Sequence, residues 1–102
     1  MPTFIDRHRF AAVPSAVRQQ MHLEVVQGLV DEHGAQPLGH WLTDGVIYCV
    51  LRAPSQEAFC RHHADHGLPC EDIHQIAGAD MDIVRTVVAE LWPGDQRVDI
   101  AS

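Results

Sequence analysis

The chain has 102 residues, of which 46% are apolar and 21% are charged. This balance is typical of one globular domain and excludes a disordered segment. The formal net charge of -7 repels phosphate backbones, so no nucleic-acid partner is expected.

The chain's cysteines and its N-terminal residues predict where it works. The three cysteines, Cys49, Cys60 and Cys70, are far apart and form no CxxC pair, so neither a zinc ribbon nor a redox motif is readable. Residues 1–7 contain no apolar leader core, and no stretch approaches the ~20 apolar residues of a membrane span. We therefore expect reduced thiols, a cytoplasmic location and no membrane partner.

The first half of the chain predicts a strand, a helix and a hairpin. Residues 3–10 read as a strand whose alternation places Phe4, Asp6 and His8 on one face. A long helix is predicted from residue 15 to a stop at Gly34. Its buried stripe recurs every four residues, at Val17, Met21, Val25 and Leu29. The hairpin joins strands at 38–42 and 46–51 through the turn of residues 43–45.

The second half predicts two more helices and one more strand. Ser55 begins a helix that reaches about Asp65 and is closed by Gly67, and residues 70–76 can form the last strand. A third helix is predicted at 80–92, with its inward positions four or three residues apart, at Met81, Val84, Val88 and Leu91. Residues 95–102 are expected to be a mobile tail.

This order of elements, β-α-β-β-α-β with an extra C-terminal helix, predicts one ferredoxin-like α+β domain over residues 1–102. Such a fold has a four-stranded antiparallel sheet with helices on one face. Residues 46–51 are apolar on both faces of their strand, and an exposed apolar sheet face is rare on a soluble monomer. We therefore expect a homodimer whose sheets face each other, unless the third helix covers the open face within one chain.

Histidines on the second helix are the densest chemical feature. His62 and His66 stand four residues apart, so both imidazoles project from one helix face at a distance suited to chelating a metal. The alternative for His66 is a solvated residue that favours the helix dipole. His63 points in another direction and is expected at the surface.

The first strand offers a second pair of metal-ligating side chains. Asp6 and His8 share a face between aromatic residues, where a carboxylate and an imidazole are costly unless they pair or bind something. His40, on the neighbouring hairpin strand, could complete a metal site with them. The alternative is an Asp6–His8 hydrogen bond that only orients the ring.

Several segments, in this order and spacing, resemble a family of small bacterial nickel-binding ferredoxin-like proteins. The resemblance covers about residues 3–77 and is carried by residues 4–8, 43–50, 53–58, His62 and 67–69. It implies a homodimer with transition-metal sites, and places Asp6, His8 and His62 at positions where the family carries candidate ligands. The family often has histidine at the position of Gly39, whereas this chain has His40.

These patterns favour a dimeric transition-metal binding protein, with nickel or another divalent metal held by Asp6, His8, His40, His62 and His66. Imidazole and carboxylate ligands suit nickel, zinc, copper and iron, so ligand type does not choose among them. The alternative is a small dimeric isomerase, lyase or oxygenase. In that enzyme His8 would act as base, and His62 or Tyr48 as acid.

Overall fold

The apolar strand at residues 46–52 has a neighbouring strand on each side, as expected from its apolar composition. A computed structural model describes residues 1–43 and 45–95 of the chain. Its helices and strands follow in the order β1 Thr3–Arg9, α1 Ser15–Gln27, β2 Gln36–Thr43, β3 Val46–Arg52, α2 Gln56–Asp65, β4 His74–Ile76 and α3 Met81–Leu91. Short 3-10 turns occupy Phe10–Ala12 and Pro93–Asp95.

The four strands form one sheet in the order β2-β3-β1-β4, and every neighbouring pair is antiparallel. This is the ferredoxin-like arrangement that the sequence predicts. Because β3 is hydrogen-bonded on both edges, none of its backbone groups needs water. Its side chains are apolar on both faces because both faces of the sheet are covered.

Each face of the sheet has its own apolar core, which corrects one expectation. Helices α1 and α2 cover one face, where Met21 and Phe59 pack against Phe4 of β1 and residues of β3. Helix α3 covers the other face, with Val84 and Val88 against Ile5, Tyr48 and Val50. The predicted open face is thus absent from the described chain, because the two valines, one helical turn apart, give α3 the apolar stripe that covers it.

Helix α1 is shorter than predicted. It ends at Gln27 because Gly28 adopts the left-handed conformation, with φ +63°, and its N–H bonds to the carbonyls of Glu24 and Val25, a geometry that glycine enters without a steric penalty. Leu29 therefore lies beyond the helix and is 44% exposed, while Met21 is buried. Gly34 also has a positive φ, but it lies in the loop that leads to β2.

The expectation of reduced thiols is also wrong for two of the three cysteines. Cys60 on α2 and Cys70 in the following loop form a disulfide, with their Cα atoms 5.2 Å apart, and Cys49 is a buried free thiol. The turn after α2, where Gly67 has φ +72°, leads the chain back along the helix. Spacing alone could not predict this pair.

The C-terminal part of the described chain is held to the sheet by carboxylates. Asp95, placed by the sequence at the start of a mobile tail, accepts hydrogen bonds from Arg7 and from the hydroxyl of Tyr48. Asp72 accepts from the indole of Trp92. The remaining tail residues, 96–102, lie outside the described residues. No helix within the described residues is long and apolar enough to cross a membrane.

Tyr48 is the only tyrosine of the chain, so its ionisation can be followed by ultraviolet absorbance. Burial raises the pKa of Tyr48, and its hydrogen bond to the Asp95 carboxylate raises it further. We expect the folded protein to show no tyrosinate near pH 10, where an ordinary tyrosine titrates, and Asp95→Asn to lower the pKa of Tyr48. Asp72→Asn is the matched control, since Asp72 bonds Trp92. An ordinary titration in the unmutated protein would contradict this role of Asp95.

Candidate metal centre

Strands β1 and β3 bring three metal-ligating side chains to one face of the sheet. Asp6 and His8 are two residues apart on β1, so they share the face that α1 and α2 cover. Cys49 of β3 is the cross-strand partner of Asp6, and side chains of such pairs lie side by side. All three residues are buried.

Helix α2 supplies the fourth member, His63. Ser55 caps the helix by accepting the N–H of Ala58, and the core side of the helix carries Ala58, Phe59, His62 and His63. The ring of His63 packs on that of Phe59, with centroids 4.5 Å apart, and His63 is 0% exposed. The predicted surface position of His63 is therefore wrong, because the core side of α2 is wide enough to include two adjacent histidines.

The donor atoms of the four side chains lie close together. His8 Nε2 lies 2.6 Å from Asp6 Oδ2, and His63 Nε2 lies 2.9 Å from the same oxygen. One donor atom from each of Asp6, His8, Cys49 and His63 lies within 4.8 Å of all the others. We refer to these four residues as the buried group.

The short contacts in the buried group lack the angles of hydrogen bonds. Within the described residues, both Asp6 oxygens and the Nε2 atoms of His8 and His63 are buried without a hydrogen-bond partner. The two imidazoles offset the charge of the Asp6 carboxylate at close range, but each buried polar atom without a well-oriented hydrogen bond still costs about 1–3 kcal/mol, which a bound ligand would recover. A metal ion would satisfy them together, since one ion accepts lone pairs from several nearby donor atoms.

The electrostatics of the buried group suit a cation. Burial alone would raise the pKa of Asp6, but the adjacent imidazoles of His63 and His8 outweigh it, so the pKa lies below its ordinary value and the carboxylate is charged. Burial, reinforced by the charge of Asp6, raises the pKa of the Cys49 thiol. A metal that ligates Cys49 would have to displace the thiol proton.

A second group joins α2 to α1. Glu24 Oε1 accepts a hydrogen bond from His62 Nε2 at 2.8 Å, and Glu24 Oε2 lies 3.0 Å from His66 Nε2. One donor atom from each of these three residues also lies within 4.8 Å of the others. We refer to Glu24, His62 and His66 as the outer group, because Glu24 and His66 are only partly buried.

His62 is the buried member of the outer group, at 2% exposed. Burial lowers its pKa, although the hydrogen bond to Glu24 acts in the opposite direction. Neutral imidazole is the form that binds metals, so a lowered pKa favours ligation. His62 also joins the two groups, because its Nδ1 lies 3.3 Å from Nδ1 of His63.

The predicted ligands thus divide between the two groups. Asp6 and His8 belong to the buried group, and His62 and His66 to the outer group. His40 of β2 is the cross-strand partner of Cys49 and lies on the same sheet face. However, β3 stands between β2 and β1, so His40 is two strand spacings, about 10 Å, away from Asp6 and His8. Its ring instead meets that of His22, with centroids 5.7 Å apart.

The departure from the family pattern at Gly39 has a structural counterpart. The register of β2 against β3 shifts between Pro37 and Gly39, which marks a bulge. After this bulge His40 pairs with Cys49, and Gly39 pairs with Val50 of the α3-facing core. A Cβ at Gly39 would lie 3.0 Å from the ring of Trp41, so a side chain there would crowd the α3 face.

Tyr48 cannot serve as an acid beside His8. It belongs to the core under α3, on the sheet face opposite to that of Asp6 and Cys49. Its hydroxyl is bonded to Asp95. The enzyme mechanism that pairs Tyr48 with His8 is therefore excluded by the alternation of side chains along β3.

Three members of the two groups were missed by the sequence reasoning. His63 could have been found from its spacing, because it stands four residues after Phe59 on an amphipathic helix. Cys49 and Glu24 gave no such signal. Only the strand register and the packing of α1 on α2 place them beside the histidines.

A further cluster lies near the outer group. Asp31, His33 and Asp65 also have donor atoms within 4.8 Å of one another. His33 Nε2 lies 2.9 Å from Asp65 Oδ2, so the ring is already paired. Because Asp65 is exposed, the cluster lies at the surface rather than in the core.

Fold and site together define a small ferredoxin-like domain with candidate sites for a transition metal. The chain belongs to the family described as nickel responsive protein SCO4226-like, whose profile matches residues 4–76. The crystal structure of SCO4226 from Streptomyces coelicolor A3(2) is similar, with a TM-score of 0.58 and 26% sequence identity over 76% of this chain and 99% of that chain. Among curated proteins, no relative matches the chain.

His63→Ala should destabilise the metal-free protein. The substitution empties a fully buried position beside Phe59 and removes a neighbour of the Asp6 carboxylate, which together should cost about 2–4 kcal/mol. His22→Ala, on the exposed side of α1, is the matched control and should change stability by less than about 0.5 kcal/mol. Urea unfolding measures both values. An equally small loss of stability in both variants would contradict the buried position of His63.

Proposed function

We propose that this chain binds a divalent transition metal, with nickel the foremost candidate. The observation that supports it most is the buried group, where a charged carboxylate and two imidazoles converge without hydrogen-bond partners among the described residues. The name of the family, nickel responsive, is what favours nickel. The donor atoms alone suit zinc, copper and iron as well.

The residues of the buried group fit a metal with a binding or structural role rather than a catalytic one. Asp6, His8, His63 and Cys49 would supply four protein ligands, all from buried side chains. Sites with four protein ligands are typical of structural or binding roles, while catalytic sites keep a position open for water or substrate. This donor set therefore favours retention or sensing of the ion over catalysis.

Calorimetric titration of the metal-free protein with Ni²⁺ and Zn²⁺ tests this proposal. We expect binding at micromolar or tighter affinity, and a loss of more than roughly tenfold on replacing His8 or His63 by alanine, since each supplies a ligand atom. His22→Ala is the matched control. Cys49→Ala should remove any thiolate-to-metal charge-transfer band that Co²⁺ produces at the buried group. Unchanged affinity in a His8→Ala, His62→Ala double variant would refute metal binding at both groups.

The homodimer stays a prediction, but its expected interface is wrong. Helix α3 covers the sheet face on which a sheet-to-sheet contact was to form. A dimer would have to use another surface, such as the exposed apolar side chains of residues 23–30. Static light scattering at micromolar concentration decides: a dimer requires twice the 11.4 kDa mass of one chain, and a mass of 11.4 kDa would end the prediction.

The cytoplasmic location is likewise retained as a prediction, and the Cys60–Cys70 disulfide gives it a test. Disulfides persist in oxidising compartments and are rare where thiol reductants are abundant. If the protein works in the cytoplasm, acid trapping and alkylation under denaturing conditions should label all three cysteines. Labelling of Cys49 alone would indicate that the protein matures in an oxidising compartment.

A further inference from the structure

Two adjacent histidine rings connect the buried group to the outer group. His63 belongs to the first group and His62 to the second, and their Nδ1 atoms form a hydrogen bond of 3.3 Å. Each Nε2 atom lies beside a carboxylate instead. That of His63 is 2.9 Å from Asp6 Oδ2, and that of His62 is 2.8 Å from Glu24 Oε1. One series of contacts therefore runs from the core carboxylate to the partly exposed one.

The hydrogen bond between the rings restricts where their hydrogens can be. A neutral imidazole carries one N–H and one lone pair, so one ring must donate from Nδ1 and the other must accept there. The ring that donates has its lone pair at Nε2, and the ring that accepts has its N–H at Nε2. Only one of His62 and His63 therefore offers a lone pair at the nitrogen beside its carboxylate.

Metal ligation requires that lone pair, because a histidine binds metals as neutral imidazole through a nitrogen without hydrogen. When His63 ligates an ion through Nε2, its hydrogen is on Nδ1 and is donated to His62. The hydrogen of His62 is then on Nε2, where Glu24 accepts it. Ligation by His62 Nε2 has the reverse effect and directs the N–H of His63 at Asp6. Ligation by both rings would place two hydrogens in one gap of 3.3 Å between nitrogens.

Packing prevents either ring from turning away from this gap. His63 is 0% exposed, and its ring contacts those of Phe59 and His8, with centroids 4.5 and 5.3 Å away. His62 is 2% exposed, and its ring packs against that of His66 at a centroid distance of 4.7 Å. Rotation of a ring in such close packing would displace its neighbours. The hydrogens, rather than the rings, must therefore adjust when a metal is ligated.

We propose that the buried group and the outer group exclude each other, so that one chain holds one transition-metal ion at a time. With the buried group loaded, His62 donates to Glu24 and has no lone pair for a second ion. With the outer group loaded, His63 is withdrawn from ligation in the same way. This inference rests on the proposed metal binding and adds its regulation. The outer group is the more exposed of the two, and it becomes unavailable once the buried group is loaded.

Calorimetric titration of the full chain with Zn²⁺, beside two single-group variants, measures this exclusion. His66→Ala disables the outer group and His8→Ala disables the buried group. Neither change removes the pair of His62 and His63. We expect each variant to bind zinc. In the unmutated protein the second equivalent should bind at least roughly tenfold more weakly than the weaker group binds in its own variant, since a buried N–H would lose its acceptor. His22→Ala is the matched control and should reproduce the unmutated isotherm.

Nitrogen-15 NMR of the unmutated protein with one equivalent of zinc tests the cause without any variant. The chemical shifts of the ring nitrogens of His62 and His63 distinguish a nitrogen that carries hydrogen from one that ligates the metal. We expect one ring to carry its hydrogen at Nδ1 and the other to carry it at Nε2. Hydrogen at both Nδ1 atoms in excess zinc would contradict the proposal.

The outcomes separate this inference from the proposed function. An unmutated isotherm equal to the sum of the two variant isotherms would overturn the exclusion while metal binding stands. A folded variant that binds no zinc would overturn it too, because exclusion requires two competent groups. Where a variant has lost its far-ultraviolet circular dichroism, the NMR pattern decides alone. Absence of zinc binding in the unmutated protein would refute both proposals.

Discussion

The carboxylate of Asp6 is the constraint around which this domain is arranged. It is 0% exposed, and moving an isolated carboxylate out of water is so costly that it normally stays neutral unless it is paired. The imidazoles of His8 and His63 lower its pKa instead of letting burial raise it. The charge thus survives in the core only because β1 and α2 each bring a histidine to it. Any change in the packing of that helix on the sheet would leave the carboxylate uncompensated.

Helix α2 consequently has two roles that usually fall to different elements. Through Ala58 and Phe59 it fills the core over the sheet, and through His62 and His63 it contributes to two polar groups. These histidines are adjacent in sequence, so their directions differ by about 100° around the helix. One reaches the strands, and the other reaches Glu24 of α1. The Cys60–Cys70 disulfide links the middle of this helix to the loop beyond Gly67, so the helix that carries both histidines is tied covalently to the chain that follows it.

The C-terminal helix covers the apolar sheet face that lies opposite the histidines. Ile5, Tyr48 and Val50 point away from the metal-ligating side chains, and α3 removes them from water. Asp95 then holds the end of that helix through Arg7 and Tyr48. Helix α3 lies beyond residues 4–76, the part of the chain that the family profile matches. The same sheet therefore carries candidate ligands on one face and, on the other, apolar residues that are covered by a helix from beyond the matched residues.

Local patterns in the sequence determined the elements, because alternation and helical spacing are properties of neighbouring residues. The face shared by Phe4, Asp6 and His8, the capped start of α2 at Ser55 and the pairing of His62 with His66 all follow from positions two to four residues apart. The ferredoxin-like order followed from these elements. The end of α1 was misjudged, because Gly28 and Gly34 both suit a left-handed cap and sequence spacing does not choose between them.

Only the tertiary structure decided which side chains meet. Cys49 reaches Asp6 through strand register, Glu24 reaches His62 through the packing of two helices, and His40 is excluded because β3 separates β2 from β1. The Cys60–Cys70 pair likewise depends on the path of a loop. Contacts between elements depend on strand register and on helix packing angles, and these are determined by many side-chain contacts across the whole core. No single stretch of sequence records them, so the sequence identified candidate ligands but not their division between a buried and an outer group.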